Sequence, residues 1–535
     1  MKSVRVPVQV PTESLTFPLR QAADRFPDKV AVVEPEVGGR EWTYRTLEDQ
    51  SSTLAASLAD LQVNPGDRVA LWMKNSVEYI LSFYGIMKAG GVVVPVSTHY
   101  GARELAHQLQ VTGAVGIIAT EERLSQAPDL RAGASGLRFI VSDSGVALLS
   151  GGPIPFHSLL TGTKRMDRSV GIVQQDAPAV LPFSSGTTGL PKGVMLTHFN
   201  LLHNLYQVVQ AHEVTPDDTL LNQLPFFHIY GMTVLMGAAV LGGARQVVAS
   251  RFRPIDEFLS LFEKYRPTLF FTVPLILQEF CHHPKVPDMD WSALRYVNTG
   301  GAPLAPELQE RFTQITGVPV IQGYGLTESS PTTHVTPLNR IKVGSIGTPL
   351  SLTEHKIVAP ESGEEVEIGE VGELWVRGPQ VMTGYYNDPQ ATAHTLVEGW
   401  LRTGDLGRED EDGYVYIVDR LKELIKCKGF QVAPAEIEHI LLGHPDILDA
   451  AVIGEPHAVQ GEVPVAYAVV RDGSKISSEA VIEYAAAGMA KYKRLWRVVF
   501  TDAIPHSPSG KILRRVLKES HVQAQQNPAE KSRFS

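Results

Sequence analysis

The sequence predicts an α/β protein: a large N-terminal domain with covered, largely parallel sheets, then a small α+β C-terminal domain. Three observations carry this prediction. Short apolar strands alternate with helical periodicity through the first 350 or so residues. After that the texture changes to short strands bounded by turn signals. Beyond Asp419-Arg420-Leu421-Lys422 lies a compact helix-and-strand pattern of about a hundred residues, enough for a separate domain.

The elements follow in order. Residues 68–73 read as a strand, and Val77, Ile80, Leu81 and Tyr84 then recur at helical spacing. Gly90-Gly91 stops that helix, and residues 92–96 form a fully apolar strand. Strand, helix and buried strand make a βαβ unit with parallel pairing. The same alternation returns near residues 219–224, 268–273 and 318–322. The nearly uncharged run 229–244 is too short and glycine-interrupted for a membrane span and reads as a buried helix. Residues 373–378 and 413–418 are short strands, and the acidic stretch 361–373 reads as a solvated hairpin. In the C-terminal part Pro434 opens a helix carrying Ile437, Ile440 and Leu441, which Gly443 and Pro445 end. Strands near 450–453 and 465–470, a helix near 481–487 and a strand near 497–500 follow, and the tail from residue 519 is polar.

At 535 residues the chain exceeds one ordinary core. Its net charge of −10 argues against a nucleic-acid partner, and an anionic ligand would need locally gathered cations. Cys281 and Cys427 are far apart and in no metal spacing, which points to a reducing compartment. No signal peptide is expected in the first 11 residues. The cytoplasm is the expected location, with room for loose membrane association around an apolar substrate.

The most informative segment is Phe183-Ser184-Ser185-Gly186-Thr187-Thr188-Gly189-Leu190-Pro191-Lys192-Gly193-Val194. Hydroxyls, glycine-freed backbone N–H groups and one cation suit a polyphosphate. It is not the P-loop pattern, because Lys192 follows Pro191 and precedes Gly193. Four later segments complete a constellation: Asn298-Thr299-Gly300-Gly301-Ala302-Pro303, Gln322-Gly323-Tyr324-Gly325-Leu326-Thr327-Glu328, Thr403-Gly404-Asp405 and Ser507-Pro508-Ser509-Gly510-Lys511.

With these five ordered motifs the chain resembles, over nearly its whole length, the adenylate-forming superfamily of acyl- and aryl-CoA synthetases, luciferases and peptide-synthetase adenylation domains. The segment 419–434, DRLKELIKCKGFQVAP, is similar to that of 4-coumarate–CoA ligases and their fatty-acyl relatives. The resemblance implies an AMP-binding domain over 1–419, a mobile domain over 420–518 with its hinge near Lys422, and a tail over 519–535. It implies an ATP-dependent acid–CoA ligase that forms an acyl-adenylate, then a thioester, with Mg²⁺ as cofactor and ATP, CoA and a carboxylic acid as partners. A homodimer is left open.

The same resemblance assigns roles. Lys511, Glu328, His228, Thr187 and Lys426 would carry the chemistry, with Glu328 holding Mg²⁺. Ser184, Ser185, Gly186, Thr187, Thr188, Gly189 and Lys192 would cradle the β- and γ-phosphates. Gly300, Gly301, Ala302, Gln322, Gly323, Tyr324, Gly325 and Thr327 would surround adenine and the α-phosphate, and Asp405 and Arg420 the ribose. Lys511 would bridge carboxylate and α-phosphate, where positive charge counts most in the transition state. Rotation at Lys422 would replace it by Lys426 on the adenylate, with Lys428, Gly429 and Arg251 on CoA. The basic run 491–497 reads as a solvated face.

The acyl pocket implied by the resemblance comprises Tyr230, Thr233, Asn298, Gly300, Gly323, Ser329, Ser330 and His334, with His228 as an aromatic gate. Pro225-Phe226-Phe227-His228-Ile229-Tyr230 offers no carboxylate for an α-ammonium, so the acid is expected to lack an α-amino group. A medium- or long-chain fatty acid is the main expectation, and an aryl or 4-coumarate-type acid the alternative. A catalytically silent adenylate sensor is the rival from another class. The presence of Lys192, Glu328, Asp405, Arg420 and Lys511 favours an enzyme. His282-His283 lacks ligand spacing and reads as loop.

Overall fold

The computed structural model describes residues 5–128, 130, 136–143, 152–168, 177–184, 191–428, 430–457, 459–487, 489–507 and 510–519. Four sheets organise the described residues. The expected βαβ unit is present: strand Arg68–Trp72, helix Val77–Lys88 and strand Val92–Pro95, with Arg68 paired in parallel to Val92. Ser76 caps the helix, its Oγ accepting from the Tyr79 N–H at 3.2 Å. Gly90, at φ +85°, takes the left-handed turn that follows.

This unit sits in a sheet that also contains Lys192–Thr197, on which the short strand Phe183–Ser184 folds back antiparallel. The second large sheet carries Thr219–Asn222, Arg245–Val248, Leu269–Thr272, Tyr296–Thr299 and Val320–Gly325, all in parallel. Asn298 to Gly300 and Gln322 to Tyr324 lie at the carboxyl ends of neighbouring parallel strands. In open α/β sheets that is where ligands bind. The sheet packs over an apolar core in which Phe262, Phe270, Phe280 and Trp291 meet ring against ring.

The third sheet is antiparallel, built on Glu354–Val358, Gly372–Arg377, Trp400–Glu409 and Val415–Arg420. The fourth belongs to the C-terminal part. It joins Ile425–Cys427, Gly461–Val470, Ile447–His457 and Arg497–Phe500 and is covered by helices Pro434–Leu442 and Ser478–Ala486. The break between the third and fourth sheets falls between Arg420 and Ile425.

The buried helix expected over 229–244 is present in an unusual form, and two other local expectations need correction. The run 229–244 is a π-helix, Tyr230–Gly237, that continues as the α-helix Ala238–Gly242. A side chain at Gly231 would put Cβ 2.2 Å from the Pro225 carbonyl oxygen, so only glycine permits this tight entry. Glu373 does not belong to a solvated hairpin: it is 2% exposed and strand-bound. His282 ends the helix Pro274–His282 instead of lying in a loop. Among the described residues no group of His, Cys, Asp and Glu has metal-site geometry, and no helix is long and apolar enough to cross a membrane.

Candidate active site

The hairpin formed by Phe183–Ser184 and Lys192–Thr197 brings Ser184 opposite Lys192. Ser185, Gly186, Thr187, Thr188 and Gly189 lie outside the described residues, as does Gly429. Ser184 Oγ donates to Glu328 Oε1 at 2.8 Å, and the Tyr385 hydroxyl donates to the same oxygen at 2.9 Å. Lys192 Nζ lies 5.3 Å from the Tyr385 ring centroid and 3.7 Å from Asp388 Oδ2. Tyr385 therefore links the cation of the glycine-rich segment to the carboxylate of the Thr327-Glu328 pair. Sequence reasoning missed both Tyr385 and Asp388, which lie in no dense motif.

Glu328 fits a magnesium ligand by its chemistry. Among the described residues both hydrogen-bonding neighbours bond Oε1 and none bonds Oε2, and Mg²⁺ takes one or two carboxylates plus phosphate and water.

A second cluster joins the two antiparallel segments of the third sheet to the parallel one. Asp405 and Arg420 are cross-strand partners, with Arg420 Nε 3.0 Å from Asp405 Oδ1. The Tyr324 hydroxyl donates to Asp405 Oδ2 at 2.6 Å. Burial and then the Asp405 charge push the Tyr324 phenol well up, so it stays a donor. The Asp405 charge is also what raises the Arg420 guanidinium further. Glu373 supports this turn: it accepts from the Gly404 N–H at 3.1 Å, from Trp375 Nε1 at 2.9 Å and from Arg402 at 3.1 Å.

Lys511, in the C-terminal domain, lies close enough to this cluster to feel the charges of Arg420 and Asp405. Burial, then the nearby Arg420 charge, lower its ammonium to about 8. The loop that carries it docks on the large domain, since a Cβ on Gly510 would sit 3.3 Å from Val273. Gln278 donates to the Leu448 carbonyl, and His439 Nε2 lies 3.0 Å from Glu307. Lys426 and Lys428 are exposed instead, and Arg251 is exposed and paired with Glu257. Lys422 is exposed within the turn closed by the Glu423 N–H on the Arg420 carbonyl.

The third cluster is a polar-floored slot. Asn298 Nδ2 donates to the Tyr230 hydroxyl at 2.9 Å, and Asn298 Oδ1 is buried with no hydrogen-bond partner among the described residues. Cβ atoms added at Gly300 and Gly323 would lie 2.9 Å from the Gly323 carbonyl oxygen and 3.3 Å from the Asn298 amide. His228 borders this slot through Tyr230, whose N–H donates to its Nδ1 at 3.3 Å. Nδ1 is thus the acceptor and Nε2 carries the hydrogen. Burial lowers the imidazole to about 4, so it is neutral at physiological pH.

Other expected residues sit differently. Thr233, Ser329, Ser330 and His334 have at most 2% of their surface exposed and pack behind the slot. His334 is turned to Thr333 and His355, at 2.9 and 3.0 Å, because its strand pairs directly with Tyr324. Gly325 is a packing glycine: a Cβ there would lie 2.0 Å from the Pro331 carbonyl oxygen. Gly301, at φ +82°, is exposed, Ala302 and Thr327 are half-buried, and Gln322 is buried with Nε2 unpaired.

Comparison with known proteins shows the family and the fold. The family model "AMP-binding enzyme" matches residues 19–386, and "AMP-binding enzyme C-terminal domain" matches 436–511. A probable 4-coumarate–CoA ligase 1 of Dictyostelium discoideum is 37% identical over 513 residues, covering 92% of each chain. A 4-coumarate–CoA ligase 1 of Narcissus pseudonarcissus is 37% identical over 97% of this chain and 95% of its own. The structure of an anthranilate CoA ligase in complex with anthranoyl-AMP superposes with a TM-score of 0.89 at 26% identity, covering 97% of this chain and 99% of that one.

Fold and site together define an adenylate-forming enzyme, with large parallel-rich sheets and a smaller C-terminal domain. The chain belongs to the AMP-binding enzyme family, and it is an acid–thiol ligase.

Proposed function

We propose that this enzyme activates a cinnamoyl-type aryl acid with ATP and transfers it to CoA. The observation that carries the reading is the 37% identity to 4-coumarate–CoA ligases over more than nine-tenths of the chain. The slot supports it. Asn298 Oδ1 is a buried acceptor without a donor among the described residues, a costly arrangement that a substrate hydroxyl at the end of a flat ring would relieve. A fatty acid, the main expectation from the sequence, offers no such donor.

In this reading Ser184 and Lys192 hold the outer phosphates, and Tyr324, Asp405 and Arg420 fix the nucleoside. Glu328 holds Mg²⁺, which when bound neutralises phosphate charge. His228 presents its Nε2–H to the carboxylate. Lys511 lies near enough to Arg420 to feel its charge, and its ammonium binds carboxylate and α-phosphate as negative charge builds between them. The carboxylate oxygen attacks the α-phosphorus, and the bond to pyrophosphate breaks. The thiol sulfur of CoA then attacks the acyl carbon and AMP leaves. That second step uses the rotated domain, with Lys426, Lys428, Gly429 and Arg251 turned to adenylate and CoA and Lys422 as the hinge.

A panel of 4-coumarate, cinnamate, benzoate, octanoate and palmitate, scored by kcat/KM for acyl-CoA formation, tests the reading. Preference for 4-coumarate over octanoate by about tenfold or more is expected, equal to about 1.4 kcal/mol. A preference for octanoate or palmitate overturns it.

A further inference from the structure

Lys511 is useful only if its loop is held, and most bonds around it are internal to that loop. The Ser507 N–H donates to the Lys511 carbonyl at 2.7 Å, the Lys511 N–H donates to Ser507 Oγ at 3.0 Å, and the Gly510 N–H donates to the Ser507 carbonyl at 2.8 Å. His506 pairs antiparallel with Ile512 at the base of the loop. Its ring then does something the motif does not require. His506 Nδ1 lies 3.0 Å from the Gly510 carbonyl oxygen, and Nε2 lies 2.8 Å from Asp449 Oδ2. The first contact fixes the peptide plane that leads into Lys511. The second ties it to the strand Ile447–His457 of the C-terminal sheet.

Both ends of this tie lie at the contact between the domains. Gly510 abuts Val273, and Leu448, next to Asp449, accepts from Gln278. We propose that His506 is a positioning residue for adenylate formation, fastening the Gly510–Lys511 peptide to Asp449 so that docking of the C-terminal domain seats Lys511. This rests on the reading of Lys511 as the adenylation lysine. Both partners of the ring are acceptors, so a ring with two N–H groups, an imidazolium, satisfies both. Burial pushes His506 down, but the hydrogen bond and charge of Asp449, the Gly510 carbonyl and the more distant Glu438 outweigh it, and the net direction is up. Glu438 is itself paired with Arg514.

A side chain that only stabilised the domain would affect both half-reactions. A residue that seats Lys511 affects the first alone, because rotation takes Lys511 away before the second. The experiment compares His506→Ala, His506→Gln, Asp449→Ala, the double alanine variant and Lys511→Ala in the intact chain. The substrate is 4-coumarate or, where the panel ranks another acid first, that acid. Carboxylate-dependent ATP–pyrophosphate exchange reports adenylation, and CoA capture of the synthetic acyl-adenylate reports the second step. Displacing a catalytic group by about 1 Å costs on the order of 10²-fold. His506→Ala is therefore expected to lower adenylation kcat by roughly 10- to 100-fold, with little change in KM for ATP and none in adenylate capture. His506→Gln, which keeps one donor, restores part of the rate, and the double variant is no worse than either single one. Equal losses in both half-reactions overturn the proposal, as does unchanged adenylation in His506→Ala while Lys511→Ala is crippled. Full adenylation by Lys511→Ala overturns the reading of Lys511 itself.

Discussion

The hydroxyl of Tyr324 donates to Oδ2 of Asp405 at 2.6 Å, joining residues from two different sheets. With Arg420 on Oδ1, each oxygen of Asp405 has one side-chain partner among the described residues, which leaves each a lone pair for a further donor. On the proposed reading, in which the Tyr324 ring faces adenine and Asp405 the ribose, these two groups are set as one unit before nucleotide arrives.

Tyr324→Phe keeps the ring and removes that link. A hydrogen bond to a charged group contributes about 1.5–3 kcal/mol. KM for ATP should rise roughly tenfold or more, with kcat changed less. An unchanged KM in steady-state pyrophosphate release would show that the link does not order the nucleotide site.

Burial and the Arg420 charge bring the Lys511 ammonium down into a range that a pH profile can read. Its ammonium is lowered to about 8, so it is charged below that pH and loses its charge as pH rises through it. For adenylation, kcat/KM of the free enzyme should therefore fall above about pH 8, while capture of supplied acyl-adenylate should show no such limb. Lys511→Ala should remove the limb and lower adenylation by roughly 10²–10³-fold. A limb that persists in Lys511→Ala belongs to another group.

Arg514 is the buried cation of the C-terminal domain, contacting Glu423 and lying 2.7 Å from Glu438. Arg514→Leu leaves the buried Glu438 and the partly buried Glu423 without it and should cost about 3 kcal/mol at pH 8. Burial already raises Glu438 to about 7, above its ordinary range, and loss of Arg514 raises it further. The folded variant then takes up a proton as pH falls, so the destabilisation should shrink toward pH 5. Urea unfolding followed by Trp496, the one tryptophan beyond residue 400, checks this. A loss that is the same at both pH values would remove Glu438 as its cause.

Legibility in the sequence followed the range of the interactions. The βαβ unit at residues 68–96 and the strand Arg497–Phe500 were readable because periodicity and glycine stops are local. The candidate charges Lys192, Glu328, Asp405, Arg420 and Lys511 could be singled out in the sequence because each sits in or beside a dense motif. Glu373 was misread, since its partners Arg402 and Gly404 arrive from a strand about thirty residues later. Tyr385 lies on a two-residue strand with no motif, and only the fold puts its hydroxyl on Glu328. The π-helix at Tyr230–Gly237 depends on Gly231 fitting against Pro225, a close approach that apolar periodicity does not encode.

If the slot takes the acid as proposed, Gly323 should limit the size of acid it accepts. A single Cβ there would lie 3.3 Å from both Asn298 amide heteroatoms, tighter than ordinary contact. Asn298 cannot simply move away, because its Nδ2 is held by the Tyr230 hydroxyl at 2.9 Å. Gly323→Val adds two further methyl groups, and such overpacking costs typically about 1–3 kcal/mol. The variant should lose roughly 5- to 100-fold in kcat/KM for 4-coumarate. It should lose much less for propionate, which does not reach the floor, and KM for ATP should stay within about twofold. Asn298→Ala added to Gly323→Val removes the clashing amide and should recover part of the loss, a coupling that a generally misfolded variant would not show. Equal losses for 4-coumarate and propionate would mean that Gly323 is not a wall of the acid slot.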